Sequence, residues 1–258
     1  GSEMCIRDRE WDKKIMGEWN YMTNKEGINK MLDQRVLENA PYENIYTIAM
    51  RGIHDAGLVG VPKDKEVNLV QEVIADQRGI LKKHIDSPID SIPQIFVPYK
   101  EVLDIYERGL RLPEDIMLVW PDDNFGYIKR LNKKEERSRR GGAGVYYHIS
   151  YLGEPHDYLW LNTTPPALMF EEMRKAYDTG AKRYWLLNVG DIKPGELGMK
   201  TFLDMAWDID KFDFDNINNH QVDFLVSIFG ERYREDIEDV MNSYYHCLLY
   251  TSDAADDK

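Results

Sequence analysis

The sequence predicts an α/β fold in which β/α units surround a parallel sheet, as in a (β/α)8 barrel. Three observations lead there. Five short apolar runs, bounded by Gly and Pro, follow one another along the chain and read as buried strands. Stretches of helical periodicity separate several of them. Each run also ends in a cluster of polar, mostly ionisable residues, at 46–55, 95–101, 116–124, 145–151 and 184–191. In a barrel the C-terminal strand ends converge on one face, and that face carries the chemistry. Repeated strand-then-acid punctuation therefore predicts the rim of a functional site.

The elements follow in order. Residues 10–40 are polar with scattered apolar positions and read mainly as helix. The first strand covers about 45–50. Gly57 to Pro62 makes a turn, and Asp64 is the expected N-cap of a helix whose inner face is Val67, Val70, Val73, Ile74 and Leu81. Pro88 and Pro93 bracket a loop before strand 94–98. A short helix, 101–108, is stopped by Gly109. The third strand, 116–120, closes at Pro121. A polar loop then runs to Gly141-Gly-Ala-Gly144, which lacks the strand-before, helix-after context of a phosphate loop and reads as a flexible lead into strand 145–151. Thr164-Pro165-Pro166 opens a helix with a hydroxyl cap and proline in the first turn. Its inner stripe is Met169, Met173, Ala176 and Tyr177, and Gly180 ends it. Strand 183–189 and a helix over 199–207 follow. The Asp/Asn-rich stretch 208–220 is the best boundary, and the apolar positions beyond it, Val222 to Met241, predict two further helices.

Composition narrows the function. The 258 residues suit one barrel-sized domain or two small ones, and 43% hydrophobic content supports a buried core. No run approaches the ~20 apolar residues of a membrane helix. A net charge of −13 disfavours nucleic acid, because phosphate binding needs clustered Lys and Arg. The one basic stretch, 129–140, is interleaved with Glu135 and Glu136 and reads as a solvated loop. Cys5 and Cys247 have no metal-ligand spacing, and the histidines form no metal motif, so neither metal nor cofactor is expected. With no Gly-x-Ser-x-Gly elbow, what is left for chemistry is carboxylates, amides and aromatics, the equipment of a glycosidase.

The candidate residues sit at the strand ends. In Asp122-Asp123-Asn124, adjacent side chains on an extended segment point to opposite sides, so one Asp can face the barrel axis while the other binds backbone. Crowded carboxylates push one pKa up, which suits proton transfer; an Asx turn explains the same residues. His54-Asp55 and Tyr99-Lys100-Glu101 end two other strands. Arg51 and Lys100 either meet a substrate carboxylate or form ion pairs with Glu101 or Asp55. His148 lies within a strand, where a hydrogen-bonded core role competes with catalysis, and His156 lies in the loop after it. Asn188 is a neutral group suited to sugar hydroxyls, and Asp191 is either a turn residue or a rim acid.

Taken together, Met50-Arg-Gly-Ile-His-Asp55, Trp120-Pro-Asp-Asp-Asn-Phe-Gly126, Gly144-Val-Tyr-Tyr-His-Ile-Ser-Tyr-Leu-Gly153, His156-Asp-Tyr-Leu-Trp-Leu-Asn-Thr-Thr164 and Leu187-Asn-Val-Gly-Asp-Ile-Lys-Pro194 resemble glycoside hydrolase family 115 over about residues 10–245. The resemblance implies a piece of a large multidomain inverting α-glucuronidase, which removes glucuronic acid or its 4-O-methyl ether from glucuronoxylan or decorated xylo-oligosaccharides. It implies a partial (β/α)8 barrel holding about the last five strands over 10–208, then the start of a helical domain over 209–246. It assigns active-site positions to Asp122 and Asn188, and more loosely to Asp123 and Asp191, with Asp122 and Asp123 the expected catalytic carboxylates and Asp122 a candidate member of the acid/base pair; Asn188, Asp191, Arg51, His54, Asp55, Tyr99, Lys100, Glu101, Asn124, His148 and His156 are the expected substrate-binding set. The parent is expected to be exported, since xylan is extracellular, and a homodimer is compatible with the resemblance. Residues 1–9 and 247–258 break the patterning and read as non-native tails, like translated sequencing-adaptor sequence at the ends of metagenomic reading frames. The piece alone is expected to be inactive and to expose two sheet edges. The competing readings are a carbohydrate-binding protein that stacks sugars on aromatics without hydrolysis, and an inert scaffold whose charged groups are only ion pairs.

Overall fold

The structure, a computed structural model, describes residues 11–53, 56–153 and 158–256. His54, Asp55 and His156 lie outside the described residues. Five strands form one sheet in the order β1 (Tyr46–Thr47), β2 (Gln94–Phe96), β3 (Met117–Pro121), β4 (Ala143–His148) and β5 (Tyr184–Asn188). Sequence order and spatial order coincide, as in a barrel wall. Tyr46 pairs with Gln94 and Ile95 with Met117, both in parallel register. Leu118 N–H reaches the Gly142 carbonyl and Asp122 N–H the Tyr146 carbonyl, so β3 and β4 also advance together. Ile149 N–H to Asn188 O joins the trailing ends of β4 and β5. With helices between the strands, this is a partial (β/α)8 barrel.

The chain forms two compact units, 1–120 with 132–144, and 121–131 with 145–258. In the first, α1 (Lys13–Met16) and α2 (Tyr21–Asn39) precede β1. Asn20 caps α2 by accepting the Met22 N–H. Trp11, Tyr21, Ile28, Met50, Leu69 and Val73 form one buried cluster, joining these helices to α3 (Glu66–His84). The inner face of α3 is Leu69, Val70, Val73, Ile74 and Leu81, so Val67 gives way to Leu69 in the expected stripe. Glu66 opens α3 and Lys82, Lys83 and His84 close it, matching the helix dipole at both ends. A short helix, α4 (Glu101–Glu107), follows β2.

Four local expectations shift. β1 spans only Tyr46–Thr47: the Ile48 N–H still reaches Ile95 O, but at Ala49 the backbone turns to a side chain, the Gln77 amide donating to Ala49 O and accepting its N–H. Asp64 does not cap α3; Lys65 is the N-cap, and its N–H closes a turn onto Pro62 O. Thr164 does not cap α5 (Pro166–Asp178); Pro165 holds that place in extended geometry and its carbonyl accepts the Met169 N–H. The fourth strand starts at Ala143 and ends at His148, which moves His148 from mid-strand to the strand's last residue.

The glycines before β4 explain that last shift. Gly141 is buried and donates to Glu114 O at 2.7 Å, and a Cβ there would sit 2.5 Å from the Ile116 carbonyl carbon and oxygen. The run is thus a close backbone approach rather than a flexible lead. The second unit adds β5, α5, α6 (Glu196–Trp207), α7 (Ile217–Phe229) and α8 (Arg234–Asp256). Met169, Phe170, Met173 and Ala176 of α5, Phe202 and Met205 of α6, and Ile217, Val222 and Val226 of α7 are among its buried apolar positions. Gly141→Ala should cost about 1–3 kcal/mol through overpacking, read as a lower urea midpoint at unchanged slope; an unchanged midpoint would show that the approach is not tight.

Candidate active site

The trailing end of β3 is organised around one carboxylate. The Asp122 side chain has 0% exposure and that of His148 3%. Asp122 Oδ1 lies 2.5 Å from His148 Nδ1, and Oδ2 accepts the backbone N–H groups of His148 and Gly126, each at 3.3 Å. Asp123 points the other way. Its Oδ1 accepts the N–H groups of Phe125 (3.0 Å) and Tyr127 (3.2 Å), and its own N–H donates to Tyr127 O. The two adjacent carboxylates take different partners, but both bind backbone N–H groups; Asp123 is the turn-former. Asn124 is buried in left-handed backbone (φ 72°), and its carbonyl accepts the Tyr158 hydroxyl.

Other groups lock this turn. Tyr147 OH donates to Gly126 O at 2.9 Å, and burial, followed by the Asp122 charge, pushes that phenol well above its ordinary pKa. Gly126 has φ 95°, and a Cβ there would lie 3.0 Å from the Tyr147 oxygen. Glu172, buried on the inner face of α5, accepts the Ile128 N–H at 3.0 Å and pairs with Lys175 at 2.5 Å. That hydrogen bond holds the Lys175 ammonium above its usual pKa. Sequence reasoning missed Glu172, though a carboxylate beside Met173 in the apolar stripe was the available signal.

From this base a line of polar groups extends along the strand ends. The Tyr146 ring packs against the His148 imidazole with centroids 4.4 Å apart, and Asn188 Nδ2 donates to Tyr146 OH at 3.0 Å. Tyr146 is the second group that the sequence reading missed. Gly190 follows Asn188 with φ 68°, and a Cβ there would lie 2.4 Å from Ser150 Oγ. Asp191 is exposed and accepts the Trp160 indole N–H at 2.8 Å.

The first unit holds a separate cluster. Glu101 begins α4, beyond the 97–100 link from β2, and Arg51 grips it with two bonds, Nε to Oε1 at 2.9 Å and Nη2 to Oε2 at 2.8 Å. The Arg51 side chain is 11% exposed and that of Glu101 32%. The guanidinium lies 5.1 Å from the centre of the buried Tyr99 ring, and Lys100 Nζ lies 5.2 Å from the same ring. Arg51 thus takes the ion-pair alternative with Glu101.

A model of glycosyl hydrolase family 115 matches residues 2–252. The chain belongs to glycosyl hydrolase family 115. A solved structure described as a family GH115 4-O-methyl-α-glucuronidase, BtGH115A, with specificity for decorated arabinogalactans, is 41% identical, with a TM-score of 0.86. The match covers 92% of this chain and 32% of that one, so the family-115 chain spans about a third of that relative's length. No curated protein matches it.

Removing the buried carboxylate should be expensive. Asp122→Ala strips the acceptor from two backbone N–H groups and the His148 ring and should cost about 3 kcal/mol or more; Asp122→Asn keeps one acceptor oxygen and the volume and should cost roughly 1–2 kcal/mol. Urea unfolding reads both, and equal midpoints for the two variants would contradict this ordering.

Proposed function

We propose that the full-length protein containing this chain is an inverting α-glucuronidase that removes glucuronic acid, or its 4-O-methyl ether, from a decorated polysaccharide. The observation that carries the reading is the Asp122–His148 pair at the trailing ends of β3 and β4 in a chain of family 115; the Arg51-clamped Glu101 after β2 is a prepared acid of the first unit, taken by itself. Inversion needs one carboxylic acid to protonate the leaving oxygen and a base to activate water, about 6.5–9.5 Å apart.

Exposure divides the labour. In the first unit Glu101 is one-third exposed and open to a sugar, and we assign it proton transfer. Asp122 has no exposed side-chain surface, and we assign it a positioning part: it orients His148, as a carboxylate does for the imidazole in other hydrolytic sites. Asn188 and the Tyr146 hydroxyl offer neutral hydrogen-bonding groups to sugar hydroxyls. Lys100, whose ammonium lies 5.2 Å from the Tyr99 ring, brings positive charge suited to a uronic carboxylate. Residues 10–208 act as part of the catalytic barrel, and the remaining strands, with any further acid, come from the rest of the full-length protein. The chain alone is then inactive. Because the polymer is extracellular, the full-length protein is exported.

Glucuronoxylan is the first substrate, and an arabinogalactan main chain is the second, supported by the description of the 41% identical relative. In the full-length protein, Glu101→Gln should lower release of glucuronic acid at least about 100-fold while leaving the unfolding transition in place, and NMR of the fresh product should show the β-anomer. Undiminished release by Glu101→Gln would remove that residue from the mechanism; an α-anomer would show retention; no release from either polymer would reject the activity.

A further inference from the structure

Beyond the strand-end clusters lies an indole that the hydrolytic chemistry does not use. Trp160, in the loop between β4 and α5, is 69% exposed. Exposure of so large an apolar ring is ordinary when the ring is loose; here it is fixed. Its Nε1–H donates to Asp191 Oδ2 in the loop that follows β5. The segment carrying it is fastened on both sides. Tyr158 N–H donates to Tyr151 O, and its hydroxyl reaches Asn124 O. Asn162 Nδ2 donates to Pro194 O at 3.0 Å. The only polar atom of the ring is thereby engaged, which leaves an apolar face held in one orientation. Leu159, Leu161 and Ile192 are exposed beside it.

Charge decides what such a face receives. Asp191 is exposed at the rim of the ring, and the neighbouring Lys193 is paired with Glu196 at 2.6 Å. A glucuronate would meet a like charge there, whereas an uncharged pyranose would lay its C–H face on the indole without penalty. The carrier loops follow the C-terminal ends of β4 and β5, where barrel enzymes build their sites, and Asn188 lies three residues before Asp191. We propose that Trp160, oriented by Asp191, is a binding platform for a neutral pyranose unit of the main chain that bears the glucuronic acid. The platform rests on the proposed glucuronidase reading for its place in the reaction, but not for its affinity.

The test uses the full-length protein with Trp160→Ala, Trp160→Tyr and Asp191→Ala. The readout is the ratio of kcat/KM on a decorated polymer to kcat/KM on a disaccharide in which glucuronic acid is linked to a single main-chain sugar. Trp160→Ala should lower that ratio about fivefold to tenfold, Trp160→Tyr should restore most of it, and Asp191→Ala should fall between. Loss of activity on both substrates in equal proportion, or no change in the ratio, would overturn the platform. If the unmodified protein releases glucuronic acid from nothing, the function fails and the platform is judged by calorimetry with neutral xylo- and galacto-oligosaccharides. Binding that Trp160→Ala removes and Trp160→Tyr keeps would uphold it; binding that is absent, or equal in the unmodified protein and Trp160→Ala, would overturn it.

Discussion

The second unit's candidate site depends on a carboxylate that never meets solvent. Asp122 gathers the imidazole of His148 and two backbone N–H groups onto its two oxygens with no exposed side-chain surface. A buried charge so placed is tolerable only while every acceptor site is used. The consequence is rigidity. The turn from Asp122 to Ile128 is held from within by Asp123, from the adjacent strand by Tyr147 and from α5 by Glu172. His148, Tyr146 and Asn188 then stand on strand ends whose spacing the ladder fixes, which is the preorganisation that hydrolytic sites require.

Glu101 is held differently. Its partner is a cation rather than backbone amides, it retains surface, and Arg51 in turn lies against the Tyr99 ring. A bidentate clamp fixes the direction of a carboxylate while leaving one flank open. The Asp122 side chain is sealed from solvent, whereas the clamped Glu101 keeps about a third of its surface.

Much of this was legible in the sequence, and the physics explains the remainder. Strand order, the parallel sheet and the acid-bearing ends follow from apolar runs with polar termini, because burial on both faces demands the former and the barrel's geometry collects the latter. That Asp122 and Asp123 take different partners follows from backbone alternation. The bond from Asp122 to His148, 26 residues apart, was not legible, since nothing local encodes it. Nor was the place of His148, because the start of β4 depends on how closely Gly141 approaches the Ile116 backbone, a tertiary constraint. Glu172 and Tyr146 were hidden for the same reason: one looks like an interruption in a helix stripe, the other like one more strand aromatic. The bond from the Trp160 indole N–H to Asp191, 31 residues apart, is likewise one that no spacing rule anticipates.

In the proposed reaction Asp122 serves the site through His148 and does not itself contact the sugar. A crystal structure of the full-length protein with glucuronic acid bound tests it most directly. The account predicts that Asp122 keeps its bonds to His148 Nδ1 and to the Gly126 N–H, and that no sugar atom lies within hydrogen-bonding distance of its oxygens. A sugar hydroxyl or anomeric oxygen bonded to the Asp122 carboxylate would contradict it.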